Sequence, residues 1–82
     1  MIRAKDIKTI LGQISTGTTL TVGQIQNLVA NKYLLTSEDW EIHTNTRPTN
    51  YRKWQHRIQA VLSEYKRKGI VQHHPQNCSY TF

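Results

Sequence analysis

Three side chains near the end of the sequence are of types that bind transition metals or act as nucleophiles: His73, His74 and Cys78. A structural zinc site takes four ligands, usually as two well-spaced pairs. The nearest fourth ligand, His43 or His56, is remote in sequence. Cys78 has no evident carboxylate partner to orient a histidine base, as a nucleophilic cysteine requires. We therefore expect no metal ion, no other cofactor and no covalent catalysis.

A second pattern, Glu64-Tyr65-Lys66, matches the Glu-x-Lys of nuclease active sites. In such sites both side chains share a strand and point at one metal ion. Here they fall in the middle of an apolar repeat typical of a helix, with Tyr65 directed inward. The sequence also has no glycine-rich phosphate loop. These observations predict a protein without catalytic activity of its own.

The charge is distributed unevenly along the 82 residues, whose net charge is +6. Residues 1–41 hold four basic and four acidic side chains, whereas residues 42–82 hold seven basic side chains and one acidic one. A basic surface of this kind favours a polyanionic partner, because it releases counterions from phosphates. The plainer interpretation is a solubilising surface that binds nothing.

The first half of the chain predicts two helices separated by a short strand. Residues 3–14 carry apolar side chains at the spacing of one helical face. Residues 18–20 are few and β-branched, which is typical of a strand. Thr21 and Gln24 then form a capping-box pattern that opens a helix ending near residues 31–33. Its apolar face consists of Ile25, Leu28 and Val29.

The second half predicts one long helix and a hairpin. Residues 50–68 follow the helical period through Trp54, Ile58, Val61, Leu62 and Tyr65. Asn50 or Thr49 would cap this helix, and Gly69 stands where a left-handed residue ends it. Residues 70–73 and 79–82 then read as strands on either side of a turn at residues 75–77.

Residues 34–49 connect these two halves. Residues 37–39 could start a short helical turn, with Leu35, Trp40 and Ile42 directed inward. Residues 43–49 are polar and hold Pro48, which predicts a loop.

The order helix, strand, helix, long helix and hairpin predicts an α+β fold, namely a winged helix-turn-helix over residues 1–82 as a single domain. In that fold the second and third helices form the helix-turn-helix, and the hairpin and a small antiparallel sheet form the wing. The connection at residues 34–49 is longer than the usual turn of such a motif.

Four runs within residues 34–82 carry a resemblance to a known family: LTSEDW at 35–40, WQHRIQAVL at 54–62, KRKGIV at 66–71 and YTF at 80–82. Together they resemble the winged-helix domain at the N-terminus of Mrr-like restriction endonucleases. In that family an acidic turn precedes a helix with a tryptophan- or arginine-centred core, and a Lys-x-Gly-hydrophobic step enters a wing ending in an aromatic residue. The resemblance implies DNA recognition, with cutting done by a separate nuclease domain in the same or a partner chain.

The long helix presents a polar face opposite its apolar one, and this face is the predicted DNA contact. Arg52, His56 and Gln59 are candidates for base edges in the major groove. Lys53 and Arg57 flank them and suit phosphates. Ala60 and Ser63 on the same face are small and let the groove wall approach. Arg67, with Lys66 and Lys68, could contact the flanking backbone. The remaining candidates are Arg47, Thr49 and Asn50, for a phosphate at the helix N-terminus, and His73 and His74 on the wing.

Three other interpretations remain open. A protein-interaction winged helix would dock a partner through Trp40 and residues 34–49. RNA binding would need aromatic side chains exposed on the sheet, which only Tyr80 and Phe82 offer. The chain could also be the part of a nuclease that positions a catalytic domain.

The sequence contains no apolar run that would span a membrane, and its single cysteine excludes a disulfide framework. These features predict a soluble cytoplasmic protein without membrane association, bound at the nucleoid if it is bacterial.

Overall fold

The protein has three helices and a three-stranded antiparallel sheet, as seen in a computed structural model that describes residues 1–43 and 51–82. This confirms the predicted α+β class. In chain order the elements are α1 (Ala4–Leu11), β1 (Thr19–Thr21), α2 (Val22–Lys32), α3 (Lys53–Arg67), β2 (Gln72–His74) and β3 (Ser79–Thr81).

Helix α1 ends at Leu11, three residues before the predicted end. Its first turn is closed by Asp6, whose Oδ2 accepts a hydrogen bond from the backbone N–H of Arg3 at 2.9 Å. Gly12 follows Leu11, and glycine has a low helix propensity. Beyond it the N–H of Ile14 bonds to the carbonyl of Leu11, so the chain tightens into turns and leaves the helix.

The β1–α2 junction has no connecting residue, because Thr21 is both the last residue of β1 and the N-cap of α2. Its Oγ1 accepts a hydrogen bond from the N–H of Gln24 at 3.2 Å, and Gln24 Oε1 accepts one from the N–H of Thr21 at 2.9 Å. The predicted capping box is therefore confirmed. The strand before it begins at Thr19, one residue later than predicted.

Replacing Thr21 with alanine is expected to lower the free energy of unfolding by about 1 kcal/mol, since α2 loses its side-chain cap. Urea denaturation measures the loss. Thr9→Ala, on the exposed face of α1, is the matched control and should change stability by less than about 0.5 kcal/mol. Equal stabilities for the two variants would show that the cap contributes nothing.

The sheet has the strand order β1-β3-β2, with both pairs antiparallel. Tyr80 in the central strand lies between Leu20 and His73 on its neighbours. The predicted hairpin is confirmed with a shifted start, because β2 begins at Gln72 and Ile70 stays outside it, 54% exposed. Gly69 has a φ of +73°, the left-handed conformation predicted after the long helix.

The core lies between the sheet and the helices, and α1 packs against both α2 and α3. Its buried apolar residues are Ile2, Ile7, Ile10, Leu11, Ile25, Val29, Trp54, Ile58, Val61, Leu62, Val71 and Tyr80. Among the residues described, no helix combines the length and the apolar character needed to cross a bilayer.

Helix α3 begins at Lys53, with Arg52 as its N-cap, so the predicted start at residue 50 is wrong. The reason is a short antiparallel pairing just before the helix. Ile42 bridges Arg52, and the N–H of His43 donates to the carbonyl of Tyr51 at 2.8 Å. This pairing holds residues 51 and 52 extended, and a helix cannot include them. The predicted caps at residues 49 and 50 and the loop at residues 44–49 lie outside the described residues.

The inward direction predicted for Trp40 and Ile42 is wrong, since these side chains are 47% and 45% exposed. Leu35 does pack against the core. The fully buried residue of this segment is the acidic Asp39, whose hydrogen bonds fix the turn at residues 36–40 and carry its neighbour Trp40 outward.

Candidate nucleic-acid interface

The outward face of α3 consists of His56, Ala60, Ser63 and Arg67, all of which are exposed. They lie opposite the buried face formed by Trp54, Ile58, Val61 and Leu62. These four residues belong to the predicted polar face, whereas two other predicted members, Lys53 and Gln59, are only partly exposed. Ala60 and Ser63 stand at its centre, and their small side chains leave the helix backbone accessible to a large partner.

One flank of this face lies beside α1. Arg57 and Ala60 line a surface cavity together with Ala4 and Lys8 of α1. Glu64, the single acidic residue of α3, forms an ion pair with Lys8, with Nζ and Oε2 2.7 Å apart. The hydrogen bond between them lowers the pKa of Glu64 and raises the pKa of Lys8. The one negative charge on the helix is thus neutralised within the domain.

The residues at the N-terminal end of α3 are fastened to the segment before it. Arg52 lies ahead of the helix and not on its outward face, and its Nη1 donates to the carbonyl of Trp40 at 3.0 Å. Lys53 forms an ion pair with Glu41, with Nζ and Oε1 2.6 Å apart. This hydrogen bond raises the pKa of Lys53. Both predicted DNA contacts therefore already have partners within the protein.

The backbone amides at the start of α3 also have partners. The N–H of Lys53 donates to the carbonyl of Glu41 at 2.9 Å, and that of Trp54 to the carbonyl of Asp39 at 3.2 Å. A phosphate at the helix N-terminus would need free backbone N–H groups. Two of the N–H groups at this predicted site are already bonded to carbonyls of the protein. Its other members, Arg47, Thr49 and Asn50, lie outside the described residues.

Asp39 holds together the turn at residues 36–40, the N-terminus and the start of α3, and it was not among the predicted site residues. Its Oδ1 accepts from the N–H of Ile2 at 2.9 Å, and its Oδ2 accepts from the N–H of Thr36 at 2.9 Å and the Thr36 hydroxyl at 3.1 Å. Burial acts to raise the pKa of Asp39, but these hydrogen bonds and the Met1 ammonium together lower it. The Thr-x-x-Asp spacing of residues 36 and 39, close to a capping box, was the available signal.

A cluster of three rings stands beside the outward face. The imidazoles of His43 and His56 are stacked, with centroids 4.0 Å apart and planes at 25°. Tyr51 meets both rings edge-on, at 6.1 Å and 5.9 Å. Burial, followed by the charges of His43 and Arg57, lowers the pKa of His56 below its usual value. Burial raises the pKa of Tyr51.

The two predicted wing histidines have partners inside the hairpin. His73 stacks on Tyr80, with centroids 4.6 Å apart, and His74 Nε2 lies 2.8 Å from Thr81 Oγ1. Tyr80 is buried and Phe82 packs against the core, so the described sheet has no exposed aromatic platform of the kind that RNA would stack on. Within residues 1–43 and 51–82, no group of three histidine, cysteine or acidic residues could hold a metal ion.

Of the remaining predicted contacts, Gln59 is half-buried beside the outward face, and Lys66 and Lys68 are exposed at the C-terminal end of α3.

Comparison of the chain with protein-family models, curated proteins and solved structures found no match.

Proposed function

We propose that the chain is a winged-helix module that binds double-stranded DNA without catalysing a reaction. Helices α2 and α3 would form the helix-turn-helix, with α3 in the major groove, and the β2–β3 hairpin would be the wing. The element order and the strand order β1-β3-β2 support this proposal, because a hairpin following the long helix pairs with a short strand that precedes α2.

The observation that carries the proposal is the charge of α3. Its outward face is small at the centre and ends in Arg67, Arg57 flanks it, and its one acid is paired with Lys8. DNA affinity comes largely from neutralised phosphates. Among the described residues, Arg57, Lys66, Arg67 and Lys68 of this helix and its C-cap carry cations for such phosphates, and Lys53 carries one that also pairs with Glu41.

The structure changes which residues we assign to bases. Arg52 is withdrawn from this role, because its guanidinium binds the Trp40 carbonyl. His56 and Gln59 remain and Ser63 is added, since all three lie on or beside the outward face. Gln can pair with adenine N6 and N7, and Ser can bond to either kind of base. Phosphate contacts would position the helix, and these three side chains would provide any specificity.

We expect duplex binding that weakens steeply between about 50 and 200 mM salt. Fluorescence anisotropy with a labelled duplex of mixed sequence measures it, alongside single-stranded DNA and RNA. The double variant Arg57→Ala, Arg67→Ala should reduce the slope of log affinity against log salt by about two, one for each lost phosphate contact.

Lys32→Ala is the control for charge removed away from α3, because it takes one positive charge from the C-terminal end of α2. Its salt slope should equal that of the unmodified protein. Absence of duplex binding at low salt, with a circular dichroism spectrum showing intact helices, would refute the proposal. A double variant with an unchanged slope would show that DNA binds elsewhere on the protein.

Docking of a partner protein is the second candidate function, and the exposure of Trp40 and Ile42 favours it. The fastening of Arg52 and Lys53 to residues 40 and 41 also covers part of the helix start. Trp40→Ala distinguishes the two functions, because it should leave duplex affinity unchanged if α3 is the DNA contact. The Mrr-like resemblance belongs to the first candidate, with a nuclease domain in the same or a partner chain.

A further inference from the structure

A surface cavity of about 490 Å³ opens beside the N-terminal half of α3. Its lining residues come from three parts of the chain: Met1, His43, and Lys53, His56, Arg57 and Ala60 of α3. A cavity of this size can admit a phosphate group with its attached sugar. Its position next to the outward face of α3 places it where a groove-bound helix approaches the DNA backbone.

The charged groups around this cavity are mostly positive. Lys53 and Arg57 reach it from α3, and the Met1 ammonium lies close enough to act on Asp39. Four acidic groups lie near these cations. Glu41 pairs with Lys53 and Glu38 also acts on it, Asp39 is within reach of the Met1 ammonium, and Glu64 lines a neighbouring cavity with Arg57. None of these carboxylates lines the cavity itself. A lysine ammonium has three donors, and the pair with Glu41 uses one, so Lys53 can bind an anion without leaving Glu41.

The stacked pair of His43 and His56 forms one wall. Two imidazolium rings 4.0 Å apart repel each other, and Arg57 adds a further positive charge on the same side. An anion in the cavity would offset this repulsion and favour the protonated ring. Tyr51 meets both rings edge-on, and burial raises its pKa further above neutrality, so it adds no charge to the pair.

We propose that this cavity binds one phosphate group through Lys53, Arg57 and the stacked pair of His43 and His56, and that His56 takes up a proton as the phosphate enters. The inference rests on the proposed function, in that the phosphate belongs to the backbone of the bound duplex, and it moves His56 from the base contacts to the phosphate contacts. Binding of duplex is then coupled to pH in the range where histidine titrates.

The first test compares duplex affinity at pH 6 and pH 8 at fixed ionic strength. Phosphodiesters do not titrate in this range, so any change belongs to the protein. Because uptake of one proton is worth up to tenfold per pH unit, we expect binding about fivefold tighter at pH 6. His56→Gln, an exposed position where folding should be unaffected, should reduce this ratio to below about twofold.

The second test needs no DNA. Sulfate remains a dianion across this range, and NMR of the histidine rings in sodium sulfate, against sodium chloride at equal ionic strength, reports each pKa. We expect the pKa of His56 to rise in sulfate. The ring signals of His74, which bonds to Thr81 in the hairpin away from the cavity, are the internal reference and should be the same in both salts.

The two tests separate the inference from the proposed function. Duplex binding that is equal at pH 6 and pH 8 would overturn the cavity site and leave DNA binding intact. If no duplex binds, the proposed function is refuted, and the sulfate experiment alone tests the anion site. A His56 pKa that rises in sulfate supports the site. A His56 pKa that is the same in both salts overturns it.

Discussion

Replacing Asp39 with alanine is expected to lower the free energy of unfolding by about 3–5 kcal/mol, because buried hydrogen bonds to a charged group are each worth about 1.5–3 kcal/mol. The variant leaves the N–H groups of Ile2 and Thr36 without their acceptor inside the protein. A small domain has only about 5–15 kcal/mol of stability in total. Urea denaturation at pH 7 measures the loss.

The same carboxylate should make stability depend on acid. The folded pKa of Asp39 lies below its unfolded value, so its contribution is present above the unfolded pKa and disappears as pH falls through the folded pKa. As the pH falls below about 5, the free energy of unfolding should therefore decrease less in Asp39→Asn than in the unmodified protein. Asp6→Asn, which affects only the first turn of α1, is the control, with an expected cost of about 1 kcal/mol at pH 7.

An Asp39→Ala variant within about 1 kcal/mol of the unmodified protein would show that solvent replaces these hydrogen bonds readily. The account of residues 36–41 as a segment anchored by one carboxylate would then be wrong.

Trp54 is expected to tolerate phenylalanine but not alanine. Its side chain is only 4% exposed, and its indole N–H has no hydrogen-bond partner among the described residues. Trp54→Ala should cost about 3–5 kcal/mol through the cavity it leaves. Trp54→Phe keeps an aromatic ring in place and removes a buried donor without a partner, so it should cost less than about 1.5 kcal/mol.

Chemical denaturation followed by fluorescence measures both variants, because Trp40 then remains as the only tryptophan. Trp40 packs edge-on against Trp54, with centroids 5.3 Å apart, so its emission in the Trp54→Phe variant also reports whether an aromatic ring still contacts it there. A phenylalanine variant as unstable as the alanine variant would indicate that the indole N–H has an important partner after all.

The elements that could be predicted are those that depend on local spacing. The capping box of Thr21 and Gln24, the apolar stripe of α3 and the left-handed Gly69 each lie within a few residues of the groups they contact. For the same reason the outward face of α3 follows from helical geometry alone. The observed limits of these elements differ from the predicted ones where a neighbouring segment forms hydrogen bonds with the backbone. Residues 42 and 43 do so just before the start of α3.

The direction of Trp40 could not be predicted, because it depends on contacts far away in sequence. Asp39 is buried because it meets Ile2, which is 37 residues away, and its carbonyl meets the N–H of Trp54. Hydrophobicity alone would bury Trp40 and expose Asp39, and here a fully bonded carboxylate reverses that order.

The candidate site was predictable in the same uneven way. The residues on one helix face were found from the helix, but the partners of Arg52, Lys53 and His56 come from residues 40–43. No periodicity connects that segment to the helix. The stacked histidines are 13 residues apart in the sequence, and His43 belongs to no repeating pattern that would place it beside α3.

The pairing of β1 with β3 joins Thr19 to Thr81 across most of the chain. Closing so long a loop before its contacts form is entropically costly and slow. On the ribosome, β1 would emerge early and remain without its neighbour until residues 79–81 leave the exit tunnel. We therefore expect the helices to form before the sheet, with β1 exposed to other chains until β3 is free to pair with it.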